Sequence, residues 1–149
     1  MAKKNPERIH EIMERKVESL TPEAELHDAV RVLLKRGYSG APVTKSDGTL
    51  LGMFSEHDSI KVLADAVYDD WPPGAVADHM TTEIDALDPD DSLSVAVKRF
   101  SESRHRSLPV VSGGKVVGLL GRGMLMRALD RMLDRGGPKT TYDLMASMR

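Results

Sequence analysis

The sequence predicts an α+β fold built from two tandem copies of one β-α-β-β-α unit. The first observation is an internal repeat, because the apolar pattern of residues 13–67 recurs about 67 positions later, for example at Pro42 and Pro109. The second is that each copy has apolar residues at helical spacing on both sides of two short apolar runs. A unit of this length is marginally stable alone, so we expect the copies to share one core.

The elements of the first copy follow from caps, glycines and apolar spacing. Thr21, followed by a proline, is typical of a helix start, and the apolar periodicity behind it ends at Gly37. Short strands are predicted at residues 41–43 and 50–54, around a Ser-Asp-Gly turn. Ser55 then begins a helix that runs to about residue 68.

The second copy predicts the same elements in the same order. Asp88-Pro89 opens its first helix, strands follow at residues 108–111 and 116–120, and Gly121 opens a last helix to about residue 134. A short helix is also predicted over residues 6–13. We therefore divide the chain into a first repeat at 10–68, a linker at 69–79, a second repeat at 80–135 and a tail at 136–149. Apolar residues of the tail recur at spacing three, which is explained either by a short docking helix or by chance in a frayed end: Tyr142, Met145 and Met148.

Composition excludes several classes of protein. The net charge of −2 argues against a general nucleic-acid binder, and no apolar run approaches the ~20 residues of a membrane span. The N-terminal residues do not have the pattern of a signal peptide. The absence of cysteine excludes disulfides and thiol catalysis and favours a cytoplasmic location.

Charge is distributed unevenly along the chain. Residues 69–91 hold eight acidic and no basic residues, whereas residues 92–135 hold nine basic and three acidic residues. These charges are explained either as a solvated linker followed by solvated helix faces, or in part as a site for an anion such as a phosphate.

Four short motifs identify a family. They lie at residues 39–43 (SGAPV) and 52–58 (GMFSEHD) in the first copy, and at 106–110 (RSLPV) and 118–120 (GLL) in the second. In this order and duplication they resemble the paired cystathionine-β-synthase (CBS) domain, or Bateman module, over roughly residues 10–135. The resemblance implies two repeats packed sheet to sheet with pseudo-two-fold symmetry and two clefts.

The resemblance also implies a function. Members of the family mostly bind adenosine-containing ligands (AMP, ADP, ATP or S-adenosylmethionine), associate as dimers through their helices, and act as metabolite sensors rather than enzymes. We therefore expect a homodimer that senses such a ligand and modulates an unidentified protein. The alternative is a ligand-free interaction module with degenerate nucleotide sites.

Ser55 and Asp58 are the candidate ribose-binding residues. A carboxylate can accept hydrogen bonds from both hydroxyls of a ribose, and the resemblance implies that the matching residues of the family hold this sugar. The same spacing also forms a capping box, which explains both residues without a ligand. In the second copy Gly121 and Met124 replace them, so we expect one ligand per chain.

The phosphate and the base have separate candidate residues. Arg106, with Ser107 and His105, precedes a strand where several family members place basic phosphate contacts, and a guanidinium suits phosphate oxygens. The alternative is a solvated basic loop. The base needs an apolar slot, and its candidate residues are equally expected in the core: Val17, Ala41, Pro42, Ile84 and Leu108.

Other chemistry is not indicated. The five histidines (His10, His27, His57, His79 and His105) have no metal-binding spacing, and no nucleophile–base pattern, P-loop or Rossmann fingerprint is present. We expect no catalytic residue, no metal and no required cofactor. Nucleic-acid binding through the basic second repeat is the least favoured function, and it would require a steep salt dependence.

Overall fold

The computed structural model describes residues 5–136, with side chains as far as Asp134. The first repeat contains α1 (Leu26–Arg36), β1 (Gly40–Thr44), β2 (Leu50–Ser55) and α2 (Glu56–Tyr68). The second contains α3 (Leu93–Glu102), β3 (Ser107–Ser112), β4 (Lys115–Gly121) and α4 (Arg122–Gly136). Single 3₁₀ turns lie at Ile9–Glu11 and Val76–Asp78. The predicted α+β fold of two like repeats is confirmed.

Each repeat contributes one antiparallel two-stranded sheet. Strand β1 pairs with β2, with Ala41 opposite Phe54, and β3 pairs with β4, with Leu108 opposite Leu120. The predicted leading strand of each repeat is reduced to one paired residue, because only Leu20 joins β1 and only Leu87 joins β3 in parallel fashion. The sheets are therefore small, and their edges are available for other pairings.

Those other pairings link the two repeats. Glu14, near the start of the first repeat, exchanges both backbone hydrogen bonds with Leu119 of β4, each 3.0 Å long. Thr81, at the equivalent position of the second repeat, makes the same exchange with Met53 of β2, at 2.8 and 2.9 Å. The segments of residues 14–18 and 81–85 are called here the leading segments of the two repeats. Because each leading segment crosses to the other repeat's sheet, a cleft beside either segment is built from both repeats.

Glycines at equivalent positions allow these crossings. A Cβ atom on Gly52 would lie 2.8 Å from the Met80 sulfur and 2.9 Å from the Thr81 carbonyl oxygen. A Cβ on Gly118 would meet the side chain of Met13 and the backbone of Glu14 in the same way. The repeated glycine therefore marks a close approach of backbones rather than a turn.

Two apolar clusters form the interior. The first combines α1, β1 and β2 residues with Leu119 from the second repeat. The second combines Ile9 with residues of α3, β3, β4 and α4. Since Leu119 belongs to the first cluster, the repeats contribute to one another's interior.

The predicted starts of the first helix of each repeat are wrong. Helix α1 begins at Leu26 rather than Thr21, because the linker pairs with the intervening residues: the Val76 N–H donates to the Ala24 carbonyl and the Leu26 N–H to the Gly74 carbonyl. Helix α3 begins at Leu93 for the same reason, since backbone N–H groups of residues 9 and 10 bond to carbonyls of residues 91 and 89.

Other boundaries follow the sequence more closely. Gly37 ends α1 in a left-handed conformation with φ of 66°, and Ser55 caps α2. The helix predicted over residues 6–13 is a single 3₁₀ turn. The tail residues 137–149, with Tyr142, Met145 and Met148, lie outside the described residues. None of the helices within the described part of the chain has the length and apolar character needed to cross a bilayer.

Candidate functional site

A cavity of about 640 Å³, called here the first cleft, lies between the two repeats. Its first-repeat wall comes from β1, β2 and the start of α2: Ser39, Gly40, Met53, Ser55, Glu56, His57, Asp58 and Ile60. Its second-repeat wall comes from the leading segment and the loop before β3: Thr81, Glu83, Ile84, Asp85 and residues 104–109. The volume is within the range of small-molecule sites.

Ser55 and Asp58 lie together at the first turn of α2 and form a reciprocal cap. The Ser55 hydroxyl accepts from the Asp58 N–H at 3.2 Å, and Asp58 Oδ2 accepts from the Ser55 N–H at 3.0 Å. The hydroxyl also donates to the same carboxylate oxygen at 2.9 Å. The capping interpretation of this motif is therefore confirmed.

The cap leaves one carboxylate oxygen of Asp58 unused. Both hydrogen bonds that this side chain accepts end on Oδ2, and within the described residues Oδ1 has no partner. Asp58 lines the cavity, where Oδ1 is available to a hydroxyl donor. Capping and ligand binding are thus compatible in one side chain.

The loop of residues 104–107 faces this carboxylate from the second repeat. Arg104, His105 and Arg106 are exposed, and their side chains have no hydrogen bond or ion pair within the described residues. The Arg122 N–H donates to the Arg106 carbonyl at 2.9 Å and fixes the loop to α4. The guanidinium groups are therefore free to bind an anion that enters the cleft.

Serine side chains join the two walls. The Ser39 hydroxyl, ahead of β1, donates to the Ser107 hydroxyl at 3.1 Å. This contact is made between residues 68 positions apart, where the two repeats meet. Ser107 therefore lies at the cleft, but its hydroxyl is already engaged as an acceptor.

The two acidic side chains of the second-repeat wall differ in their partners. Asp85 forms an ion pair with Arg99 of α3, which also donates to the Ala86 carbonyl at 3.1 Å. Glu83, in contrast, is exposed in the cleft. The charged side chains that face the cavity without an ion-pair partner in the described residues are thus the carboxylates of Glu56, Asp58 and Glu83 and the guanidinium groups of Arg104 and Arg106.

Two of the candidate base-binding residues line this cavity, and three do not. Ile84 and Leu108 are part of its wall, with Pro109 beside them. Ala41 and Pro42 are buried in β1, and Val17 packs against the first apolar cluster. These three occupy positions equivalent to Leu108, Pro109 and Ile84 in the other repeat, and the pseudo-symmetric place where they lie is called here the second cleft.

Sequence reasoning missed several lining residues. Thr81, Glu83 and Asp85 belong to the leading segment of the second repeat, and His57 and Ile60 to α2. No local pattern marks the first three, because they line the cleft only where their segment crosses to the other repeat's sheet. Without known pairing of residue 81 with residue 53, that crossing was not predictable.

The second cleft differs in its polar residues. Gly121, which replaces Ser55, has only the Arg106 carbonyl within 4 Å of a hypothetical Cβ, at 3.9 Å. Met124, which replaces Asp58, packs against the second apolar cluster. Among the described residues there is no group of three or more side chains suited to hold a metal ion.

Comparison with known proteins places these features in context. A family model described as CBS domain matches the chain twice, over residues 9–65 and 76–131. The crystal structure of CBSX2 in complex with AMP superposes with a TM-score of 0.75 at 26% identity, covering 85% of this chain and 98% of that one. CBSX2 is a CBS-pair protein of Arabidopsis thaliana.

Two further relatives extend the comparison. The CBS domain pair of protein MJ0100, in complex with 5′-methylthioadenosine and S-adenosyl-L-methionine, has a TM-score of 0.73 at 18% identity and covers 83% of this chain and 96% of that one. The uncharacterized protein MJ1225 of Methanocaldococcus jannaschii is 28% identical over 114 residues, which are 76% of this chain and 40% of that protein. The chain thus spans less than half of this curated relative.

Proposed function

Because the chain belongs to the CBS domain family, we propose that it is a regulatory protein that binds one adenosine-containing ligand per chain in the first cleft. The observation that carries this proposal is that Asp58 Oδ1 and the Arg106 guanidinium, both without partners in the described residues, face one cavity from different repeats. The solved relatives include one bound to AMP and one bound to 5′-methylthioadenosine and S-adenosyl-L-methionine.

In this proposal each part of the ligand has a separate partner. The ribose hydroxyls donate to Asp58 Oδ1, while the phosphate accepts from Arg106, with Arg104 and His105 near it. The base lies against Ile84 and Leu108, the candidate residues that line the cavity. Ser107, whose hydroxyl accepts from Ser39, retains its own hydrogen to donate to a phosphate oxygen.

The proposed mechanism is a population shift rather than catalysis. A ligand held by Asp58 in one repeat and Arg106 in the other stabilises the arrangement in which both contact it. The change is then transmitted to a partner protein that distinguishes the two arrangements. The proposed location is the cytoplasm, and no cofactor is required.

Isothermal titration calorimetry tests the site. We expect AMP, ADP, ATP or S-adenosylmethionine to bind the nucleotide-free protein at one site per chain, and Asp58→Ala to weaken binding by more than about 1.5 kcal/mol, the cost of a hydrogen bond to a charged group. Asp91→Ala is the matched control. Asp91 Oδ2 accepts a hydrogen bond from the Asp88 N–H at 3.0 Å, as Asp58 does from Ser55, but Asp91 lies outside the cleft. Equal affinities in the two variants would reject the ribose site.

The phosphate contact has its own test. If Arg106 binds the phosphate, Arg106→Gln lowers the affinity for AMP but leaves the affinity for adenosine unchanged. Arg122→Gln is the control, because this arginine begins α4 and does not line the first cleft. A parallel loss for AMP and adenosine would assign Arg106 a structural role instead.

A ligand-free interaction module is the second candidate function. It is favoured by the second cleft, where Gly121 and Met124 have replaced the polar pair. It predicts no heat from any of the four ligands in a protein that is folded by circular dichroism, together with a protein that co-purifies with the chain.

We also propose a homodimer formed through α2 and α4. Two pairs of exposed apolar side chains occupy equivalent positions on these helices: Ile60 and Met126 are 67% and 68% exposed, and Val67 and Leu133 are 74% and 73% exposed. Apolar residues repeated at the surface are typical of an interaction face. Sedimentation velocity should show a dimer that Val67→Glu with Leu133→Glu converts to monomer, whereas Lys98→Glu on α3 leaves it intact.

A further inference from the structure

The equivalent side chains around the two clefts have different partners. His105 and Thr81 line the first cleft, and within the described residues their side chains make no hydrogen bond. The positions equivalent to them in the first repeat are Tyr38 and Glu14, whose side chains are bonded to one another. Side chains that make no hydrogen bond in the first cleft therefore correspond to side chains that are hydrogen-bonded to one another at the second cleft.

Tyr38 is the centre of this linked set. Its side chain is in the first apolar cluster and it is 8% exposed. The hydroxyl donates to Glu14 Oε1 at 3.2 Å and accepts from the Glu18 N–H at 3.3 Å. These two bonds bracket Val17, which packs against the same cluster. The phenol thus lies along the segment that corresponds to residues 81–85 of the first cleft.

Arg36 completes the set. Its Nη2 donates to Glu14 Oε1 and to the Lys16 carbonyl, the latter at 2.8 Å, and its guanidinium carbon lies 5.3 Å from the centre of the Tyr38 ring. The hydrogen bond to Glu14 raises the pKa of Arg36 above its usual range. The equivalent residue of the second repeat is Ser103, whose short side chain cannot span the same distance.

We infer that Tyr38 fills the second cleft as an internal occupant, and that Arg36, Tyr38 and Glu14 form a clasp that holds this cleft closed. A planar ring with a polar edge, held by backbone and carboxylate groups, takes the space that a planar ligand would need. The clasp keeps the segment of residues 14–18 fixed without any ligand. Ligand-dependent movement is then confined to the first cleft.

Engineered thiols test this inference without any nucleotide, because the chain contains no cysteine. Val17→Cys and Ile84→Cys place one thiol at equivalent positions of the two clefts. With the aromatic reagent 5,5′-dithiobis(2-nitrobenzoate), we expect the thiol at position 84 to react at least about tenfold faster, since a fixed segment reacts only through rare local opening. Equal rates at the two positions would overturn the clasp.

A second experiment introduces residues of the first cleft at the equivalent positions of the second cleft. Arg36→Ser with Tyr38→His, the residues found at positions 103 and 105, should accelerate the thiol at position 17 about tenfold and leave the thiol at position 84 unchanged. An unchanged rate at position 17 in a folded variant contradicts the inference.

A milder variant keeps the test decisive if that double variant does not fold. Tyr38→Phe retains the ring and removes only the hydroxyl that accepts from Glu18. We expect faster hydrogen exchange at the Glu18 amide and no change at the Thr81 amide, which bonds to Met53 in the other half of the molecule. Unchanged exchange at Glu18 would overturn the role of Tyr38.

Discussion

The close approach at Gly52 makes a quantitative prediction. In Gly52→Ala the new methyl would lie 2.8 Å from the Met80 sulfur and 2.9 Å from the Thr81 carbonyl oxygen. The methionine can rotate away, but the carbonyl belongs to the backbone pair of Thr81 with Met53, so the crossing segment itself must move. Overpacking of this kind costs about 1–3 kcal/mol.

A smaller opposite effect must be subtracted. Replacing glycine by alanine restricts the unfolded chain, which stabilises the native state by about 0.4–1 kcal/mol where the backbone conformation is compatible. Gly52 is not among the glycines with positive φ, so it receives this gain. Subtracting the midpoints of the two ranges leaves a net loss of about 1.3 kcal/mol, or roughly 3–5 °C in the melting temperature.

Gly121→Ala is the matched control. Its new methyl would meet only the Arg106 carbonyl oxygen, at the ordinary distance of 3.9 Å, and its backbone is likewise free of positive φ. Gly121 directly precedes α4, where alanine caps a helix less well than glycine, so a small loss is expected there too. Urea denaturation should therefore show a midpoint that falls further for Gly52→Ala than for Gly121→Ala. If the two variants are equally stable, the argument that the crossing segment needs this glycine is refuted.

Three further predictions concern polar groups. Within the described residues Glu18 Oε2 is buried without a partner, so Glu18→Gln, which removes the charge, should raise the free energy of unfolding by up to about 1 kcal/mol in urea titrations. A hydrogen bond from the Thr49 N–H lowers the pKa of Asp47 below its ordinary 3.8. This carboxylate therefore adds stability that is lost as the pH falls through its folded-state pKa. NMR titration should find the lowered pKa, and Asp47→Asn should reduce the loss of stability below pH 3.8. Arg99→Met should cost less than about 1 kcal/mol, and less in high salt, because its ion pair with Asp85 is more than one third exposed.

Local signals predicted the elements that depend on local interactions. Gly37 ends α1 because its left-handed backbone suits glycine, and Ser55 caps α2 because its partner is three residues away. The starts of α1 and α3 were not predictable in this way. They depend on backbone pairing with segments about 50 and 80 positions distant, around Val76 and Ile9, which takes the intervening residues out of the helix.

The candidate site shows the same division. Ser55, Asp58 and Arg106 were identified from motifs, and they lie around one cavity. Val17 and Ile84 were assigned to one base slot, but the crossing of the leading segments puts them in different clefts. The alignment of the two repeats shows which residues are equivalent. It does not show which of them line the same cleft, because that depends on the crossing of the leading segments.

The contrast between the clefts cannot come from the scaffold, because the backbone pairs that build them are the same. Glu14 pairs with Leu119 as Thr81 pairs with Met53, and each crossing passes a glycine. The difference therefore comes from side chains at a few equivalent positions. These pairs are Tyr38 and His105, Arg36 and Ser103, and Met124 and Asp58. Where these side chains bond to one another the cleft is closed, and where they are left without partners they are available to a ligand. Within the described residues the side chains of Thr81, His105 and Arg106 are exposed and make no hydrogen bond, so they are the groups that a ligand entering the first cleft would meet.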